Sequence, residues 1–486
     1  MNAKPILFNM SAGELEQFVV GMGQARFRAK QIDEWLRRGA PDFSVMKNLP
    51  ETLRRDLDAA ARTMPVEIEK KLESSDGQTK KFLLKLAHVS NIPRDLCEGK
   101  SSDARKSGVG VCNTTSRFDE AAGDLTRTQR AAPCGRRKIK RLAADSRLAV
   151  TTHGLRDNPC HSSNFSAANH AGYSKHGLDD GEQIECVLMR TSYGNSVCVS
   201  SQAGCAMGCK FCASTLLGLR RNLTANEMIA QVLVAQWELR GDRGDAIKPN
   251  GDPNNNDVSH IVVMGTGEPL HNMENLKGFL EYANSQLGIS WRRMTVSTCG
   301  IVPGIRELTE WGRPINLAIS LHAPNDELRA RLMPINNKYP IADVLGAAFE
   351  HSDKTGRQLM IEYILLDASR QEESAVCRVQ SAINKDCRAK RDAITEPCTL
   401  QTALSNCNSE HALELADLLK DKNCMVNLIP WNAVAERNHF TAPSGNTVHK
   451  FQDILIKNGI HTRIRRERGA DIGSACGQLR LQDTRY

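Results

Sequence analysis

The chain has 486 residues, 40% hydrophobic and 25% charged, with 64 basic against 56 acidic side chains and a formal net charge of +8. This length supports a sizeable core and more than one domain, so disulfides are not required as staples. No run approaches the roughly 18 apolar residues of a membrane span and "MNAKPILFNMSAGELEQFVV" lacks a signal-peptide apolar region, which argues against a membrane protein and predicts a cytoplasmic one.

In a reducing compartment the 16 cysteines point to metal binding, catalysis or chance rather than to bridges. The positive bias is modest and hints at a nucleic-acid partner only through local clusters such as "WLRRG", "LRRNL" and "TRIRRERG". Each of these also reads as a solvated face.

Taken in chain order, "AGELEQFVVGMG", "FRAKQIDEWLRRG" and "LPETLRRDLDAAARTM" space apolar residues three and four apart, with Gly or Pro between. They predict a small helical domain over 1–78. Strands are predicted at "TKKFLLKLAH" and "EQIECVLMRT", so that 79–88 and 182–194 join this domain to a core over 195–486.

Within the core, "SVCVSSQ", "SHIVVMG", "RRMTVSTCG", "INLAISLHA", "LMIEYILL" and "CMVNLIPWN" alternate with helical patterns such as "TANEMIAQVLVAQWELR" and "EHALELADLLKD". That alternation predicts an α/β fold, a partial (β/α)6 barrel of the TIM type with chemistry at the strand ends. Residues 89–181 lack periodicity and read as a disordered insertion, and 369–408 reads as a second one. Between them they hold Cys97, Cys112, Cys134, Cys160, Cys377, Cys387, Cys398 and Cys407, at gaps that match no zinc template.

"GCAMGCKFCAST" places Cys205, Cys209 and Cys212 on a Gly-punctuated loop directly after a strand. Structural zinc takes four closed ligands, and no second thiol or histidine pair lies nearby. An iron–sulfur cluster held by three thiolates leaves one iron open. A zinc-stabilised RNA-binding module without catalysis remains the alternative from another class.

The C-x3-C-x2-C spacing with Phe211 before the last Cys resembles the signature of the radical S-adenosylmethionine (SAM) superfamily. Further on, "VVMGTGEPLHN", "TVSTCGIVP", "LAISLHAPND", "MPINNKYPI", "NLIPWN" and "RRERGADIGSACGQL" resemble successive motifs of the RlmN/Cfr family of RNA adenosine methyltransferases. "FRAKQIDEWL" and "DGQTKKFLLKL" resemble that family's N-terminal, RNA-binding domain.

The resemblance implies one 4Fe-4S cluster on Cys205, Cys209 and Cys212, and two SAM molecules per turnover. It implies SAM contacts from Gly267, Glu268, Ser297, Ser320, Leu321, His322 and Asn432. Cys476 matches the thiol that first takes the methyl group, Cys198 the thiol that releases the product through a transient disulfide, and Glu185 the proton acceptor. Whether Cys198 or Glu185 takes the ring proton stays open.

The implied reaction is methylation of C2 of adenosine in 23S rRNA and in tRNA, fed by an external reductant such as flavodoxin or ferredoxin, in a monomer; a Cfr-like C8 methylation is the alternative. Cys186, Cys299 and Cys424 lie in apolar runs and read as core cysteines.

Overall fold

Ser11 starts the first helix with a capping box, its hydroxyl accepting from the Glu14 amide (3.2 Å) while the Glu14 carboxylate accepts from the Ser11 amide (2.7 Å). That helix, α1 (Ala12–Gly21), is followed by α2 (Phe27–Arg37) and α3 (Glu51–Ala60). The three turn Leu15, Val19, Ile32, Leu36, Leu53 and Leu57 into a shared core, as their apolar spacing predicts.

The computed structural model describes residues 4–87, 182–240, 257–368, 404–437, 439–465 and 468–479. The disorder expected for 89–181 and for most of 369–408 falls outside the described residues.

Two boundaries differ from the sequence reading. The 1–78 segment is not helical throughout, because β1 (Val66–Glu73) pairs antiparallel with β2 (Thr79–Leu86). β1 is the first strand in the sheet order and exposes much of "VEIEKKLE", which leaves too few apolar positions for a period-2 signal. The second interruption ends before residue 408. Asn406 is buried, donates to the carbonyls of His322 (2.8 Å) and Ile364 (2.6 Å), and accepts from the Leu366 amide (2.7 Å). Cys407 is likewise a buried core residue and not an incidental thiol of an insertion.

β3 (Gln183–Thr191) and β4 (Gly194–Cys198) complete an antiparallel run with β1 and β2. "SVCVSSQ" is two strands rather than one, with β5 (Gln202–Gly204) leaving the sheet to pair with β6 (Leu219–Asn222). Ser200 forces the break. Its amide and carbonyl bond the Gln231 side chain (2.8 and 3.0 Å), and its hydroxyl donates to the Glu185 carbonyl (2.6 Å).

From β4 the sheet continues in parallel through β7 (Val258–Val263), β8 (Met294–Thr298), β9 (Asn316–Ser320) and β10 (Leu359–Leu365). After the short β11 (Asp367–Ala368), β12 (Cys424–Pro430) joins β10; β13 (Phe440–Thr441) pairs with β11, and β14 (Thr462–Ile464) joins β12.

The crossovers are α4 (Ala225–Arg240), α5 (Met273–Ser285), α6 (Val302–Glu310), α7 (Asp326–Leu332) with α8 (Ile341–Thr355), α9 (Ser409–Leu419) and α10 (Gly445–Lys457). The ten-stranded order β1-β2-β3-β4-β7-β8-β9-β10-β12-β14 does not close on itself, so the barrel is partial, as expected. β14 is a seventh parallel strand, too short at three residues to announce itself by pattern.

Arg329 on α7 is fully buried and forms no salt bridge among the described residues. It donates instead to strand-end carbonyls, of Cys299 (2.7 Å), Ser320 (3.3 Å) and Leu321 (3.1 Å), and to Asn336 Oδ1 (2.9 Å). A planar donor fork satisfied on several sides can remain charged inside the protein. Here it ties the tips of β8 and β9 together where the barrel opens.

Candidate active site

The parallel strands end around one cavity that encloses about 1170 Å³ of empty space, counting its open mouth. Cys198 ends β4, Gly267 and Glu268 follow β7, Ser297 and Thr298 end β8, Ser320 ends β9, and Glu362 stands on β10; all line the cavity.

Cys205, Cys209 and Cys212 line the same cavity from the loop that follows β5. The loop is held by backbone bonds to Gly218 (3.1 Å) and Leu332 (2.9 Å), and by the Thr215 hydroxyl, which donates to the carbonyls of Cys209 (3.2 Å) and Cys212 (3.1 Å). Phe211 stacks edge-on against His322 with ring centroids 4.9 Å apart.

Burial raises all three thiol pKa values, that of Cys205 to about 12, and outweighs the opposing effect of Arg329 on Cys209 and of Arg437 on Cys212. A metal centre would supply the missing charge. Among the described residues no three His, Cys, Asp or Glu side chains are gathered on one point as a single metal ion requires. Three soft thiols distributed along a cavity wall fit a cluster, in which separate iron atoms each take one thiolate.

The other expected residues divide into two groups. Gly267, Glu268, Ser297, Ser320 and His322 line the cavity, whereas Leu321 and Asn432 stand just behind it. Gly267 has φ 110°, and a Cβ there would lie 2.6 Å from Gln202, so only glycine brings the backbone this close to the cavity wall.

The Glu268 carboxylate is partly engaged. It accepts from the amides of Leu270 (3.1 Å) and Cys299 (2.8 Å), and burial outweighs these bonds in raising its pKa. Ser297 and Ser320 bring their hydroxyls within 3.4 Å of each other. His322, with φ 62°, accepts from the Ile364 amide at Nδ1 (3.0 Å), and burial with Arg329 nearby lowers its pKa to about 3. The ring is therefore neutral with its proton on Nε2.

Asn432 donates to the Cys476 carbonyl (3.2 Å). Its Oδ1, like Oε2 of Glu362, is buried without a hydrogen-bond partner in the protein. Such atoms are costly unless a ligand satisfies them, so the cavity edge is built for a polar guest.

Cys198 and Cys476 both line this cavity, and neither is disulfide-bonded. Burial pushes the Cys198 thiol up to about 12 and raises that of Cys476, with Arg465 opposing both shifts. Arg465 lines the cavity too, its Nη1 3.7 Å from Glu362 Oε2.

Glu185 is not on the cavity surface. It shares its strand face with Val187 and Met189, which are, and it is buried against Lys81 Nζ at 2.9 Å. Cys299 is a buried core cysteine, as the sequence reading has it, and it also lines the cavity beside Glu268. Arg329 and Glu362 carried no sequence signal of a site, and the motifs that contain Arg465 and Lys81 did not single these residues out, since each matters through partners remote in the chain.

The family description "Ribosomal RNA large subunit methyltransferase N-terminal domain" matches residues 6–63. A probable dual-specificity RNA methyltransferase RlmN of Symbiobacterium thermophilum is 35% identical over 476 residues, 97% of this chain and 90% of that protein. A like-named protein of Lachnoclostridium phytofermentans is 46% identical over 309 residues, 63% of this chain and 72% of its own.

The crystal structure of a radical SAM methyltransferase from Sphaerobacter thermophilus superposes with a TM-score of 0.62 at 29% identity, covering 98% of this chain and 99% of that one. Among the described residues no helix is long and apolar enough to cross a membrane. The chain belongs to the RlmN family of radical SAM RNA methyltransferases, enzymes whose chemistry rests on S-adenosylmethionine and an iron–sulfur cluster.

Proposed function

We propose that this enzyme methylates C2 of adenosine in 23S rRNA and in tRNA, with Cys476 carrying the methyl group between cofactor and base. The observation that carries this reading is the meeting of five thiols, Cys198, Cys205, Cys209, Cys212 and Cys476, on one cavity with the polar strand ends. Cys205, Cys209 and Cys212 hold a 4Fe-4S cluster. Gly267, Glu268, Ser297, Ser320, Leu321, His322 and Asn432 hold SAM, and the Asn432 Oδ1 atom that lacks a protein partner takes one of its donors. When bound, cluster and cofactor supply a transferable methyl group and one-electron hydrogen abstraction.

Adenine C2 is electron-poor and cannot attack a sulfonium methyl group itself, whereas a thiolate can. Cys476 lines the cavity, where burial raises its thiol pKa and Arg465 opposes that rise. Once its carbon is joined to the base, Cys198 releases the product by forming a disulfide with Cys476, and a reductant restores both thiols. Glu185, on the cavity-facing side of β3, receives the ring proton.

Anaerobic incubation of the reduced enzyme with SAM and RNA tests this reading. Digestion and mass spectrometry are expected to yield 2-methyladenosine. A product of 8-methyladenosine would replace the C2 assignment, and colourless, zinc-loaded, inactive protein would reject the enzyme's proposed centre.

A further inference from the structure

The segment 468–479 carries Cys476 and is held from two sides. From Cys476 onward it is bound to the barrel, with the Gly477 carbonyl accepting from the Ala213 amide (2.8 Å) and the Leu479 carbonyl from the Ser214 hydroxyl (2.5 Å). Before Cys476 it is fastened to the antiparallel extension of the sheet. The Ser75 amide donates to Asp471 Oδ2 (2.8 Å), Arg468 to the Arg190 carbonyl (3.0 Å), and Lys81 Nζ to the Gly473 carbonyl (3.0 Å). Gly469, at φ 62°, lies so near β2 that a Cβ would stand 2.9 Å from Thr79.

Lys81 is the buried member of this set. Its side chain is 10% exposed, and the same Nζ that reaches Gly473 lies 2.9 Å from Glu185 Oε1, whose side chain is 2% exposed. The register explains how one ammonium serves both: Lys81 pairs with Val187 and Leu83 with Glu185, so all four stand on one sheet face. A buried cation of this kind is costly unless each of its donors is used.

We propose that Lys81 is a positioning residue for methyl transfer, its ammonium tying the Glu185 carboxylate to the loop three residues before Cys476. The β1–β2 extension is then a platform that aims the methyl carrier into the cavity. This rests on the role given to Cys476 above. A side chain without the charge fills the space but removes the buried tie, leaving the exposed bonds of Ser75 and Arg468 to hold the loop on this side.

The test isolates the first half-reaction, transfer of the methyl group from SAM to Cys476 without RNA, in which Glu185 has no part. Because Lys81→Met alone strands a buried carboxylate, the comparison is Lys81→Met/Glu185→Gln against Glu185→Gln, both anaerobically reconstituted to equal iron content. Mass spectrometry of the Cys476 peptide over time is expected to show methylation slowed about 10–100-fold in the double variant, the effect of a misplaced reacting group. The SAM concentration for half-maximal rate should not change.

Lys81→Arg should recover most of the rate, and Lys85→Met, an exposed lysine farther along the same strand face, should match the unaltered enzyme. Equal rates in the double variant and Glu185→Gln would overturn the proposal while leaving the methyl-carrier reading intact. Absence of Cys476 methylation in the unaltered enzyme would instead overturn that reading.

Discussion

Cys476→Ala is expected to abolish RNA methylation while leaving fold and iron content as they are. The residue sits on an exposed loop with its thiol desolvated against the cavity, and its tertiary hydrogen bond, from Asn432, goes to the backbone carbonyl rather than the thiol, so alanine keeps the bond that seats the loop. Alanine offers no nucleophile at all. Liquid chromatography and mass spectrometry of RNA should find no methylated adenosine above background.

Cys198→Ala should behave differently, because the methylated base would form but stay attached to Cys476, and RNA should accumulate covalently bound to protein. Normal product from Cys476→Ala would remove it from the mechanism. Clean release at full rate from Cys198→Ala would do the same for Cys198.

Cys209→Ser is expected to remove the cluster and all activity with it. Serine is nearly isosteric, so the bonds to the Cys209 carbonyl from Thr215 and from the Cys212 amide survive and the loop keeps its path. The alcohol is a harder, far less acidic ligand than a thiol and holds iron poorly. Iron after anaerobic reconstitution should fall to a small fraction of that in the unaltered enzyme, with loss of the brown colour.

Cys299→Ala is the informative control. Cys299 lines the same cavity but stands at the β8 tip, outside the three-thiol loop, where both its amide and its thiol bond Glu268. It should therefore retain iron. Full iron content in Cys209→Ser would mean that the three-thiol loop is not the binding site.

Much of this site could be read from the chain because its residues act within short motifs at strand ends, and strand ends converge in any parallel barrel. The polar tips at Ser297, Ser320 and His322 need only the alternation of strands and helices to be brought together. What could not be read depends on distant contacts. Lys81 and Gly473 are 392 residues apart, and no local pattern distinguishes Lys81 from Lys80 or Lys85 on the same strand.

Arg329 looks like one face of a charged helix until the fold wraps carbonyls around it. Asn406 lies within the stretch that reads as insertion, yet it fills the gap between His322 and Ile364. β1 and β14 were missed for lack of apolar alternation and lack of length.

The most direct test of the account is a pulse and chase of the methyl group. Enzyme incubated anaerobically with SAM labelled in its methyl carbon, then freed of cofactor, should carry the label on the Cys476 peptide. Addition of RNA, reductant and unlabelled SAM should then move the labelled carbon into 2-methyladenosine during the first turnover. Unlabelled product, with the label still on Cys476, would contradict the claim that this thiol delivers the carbon.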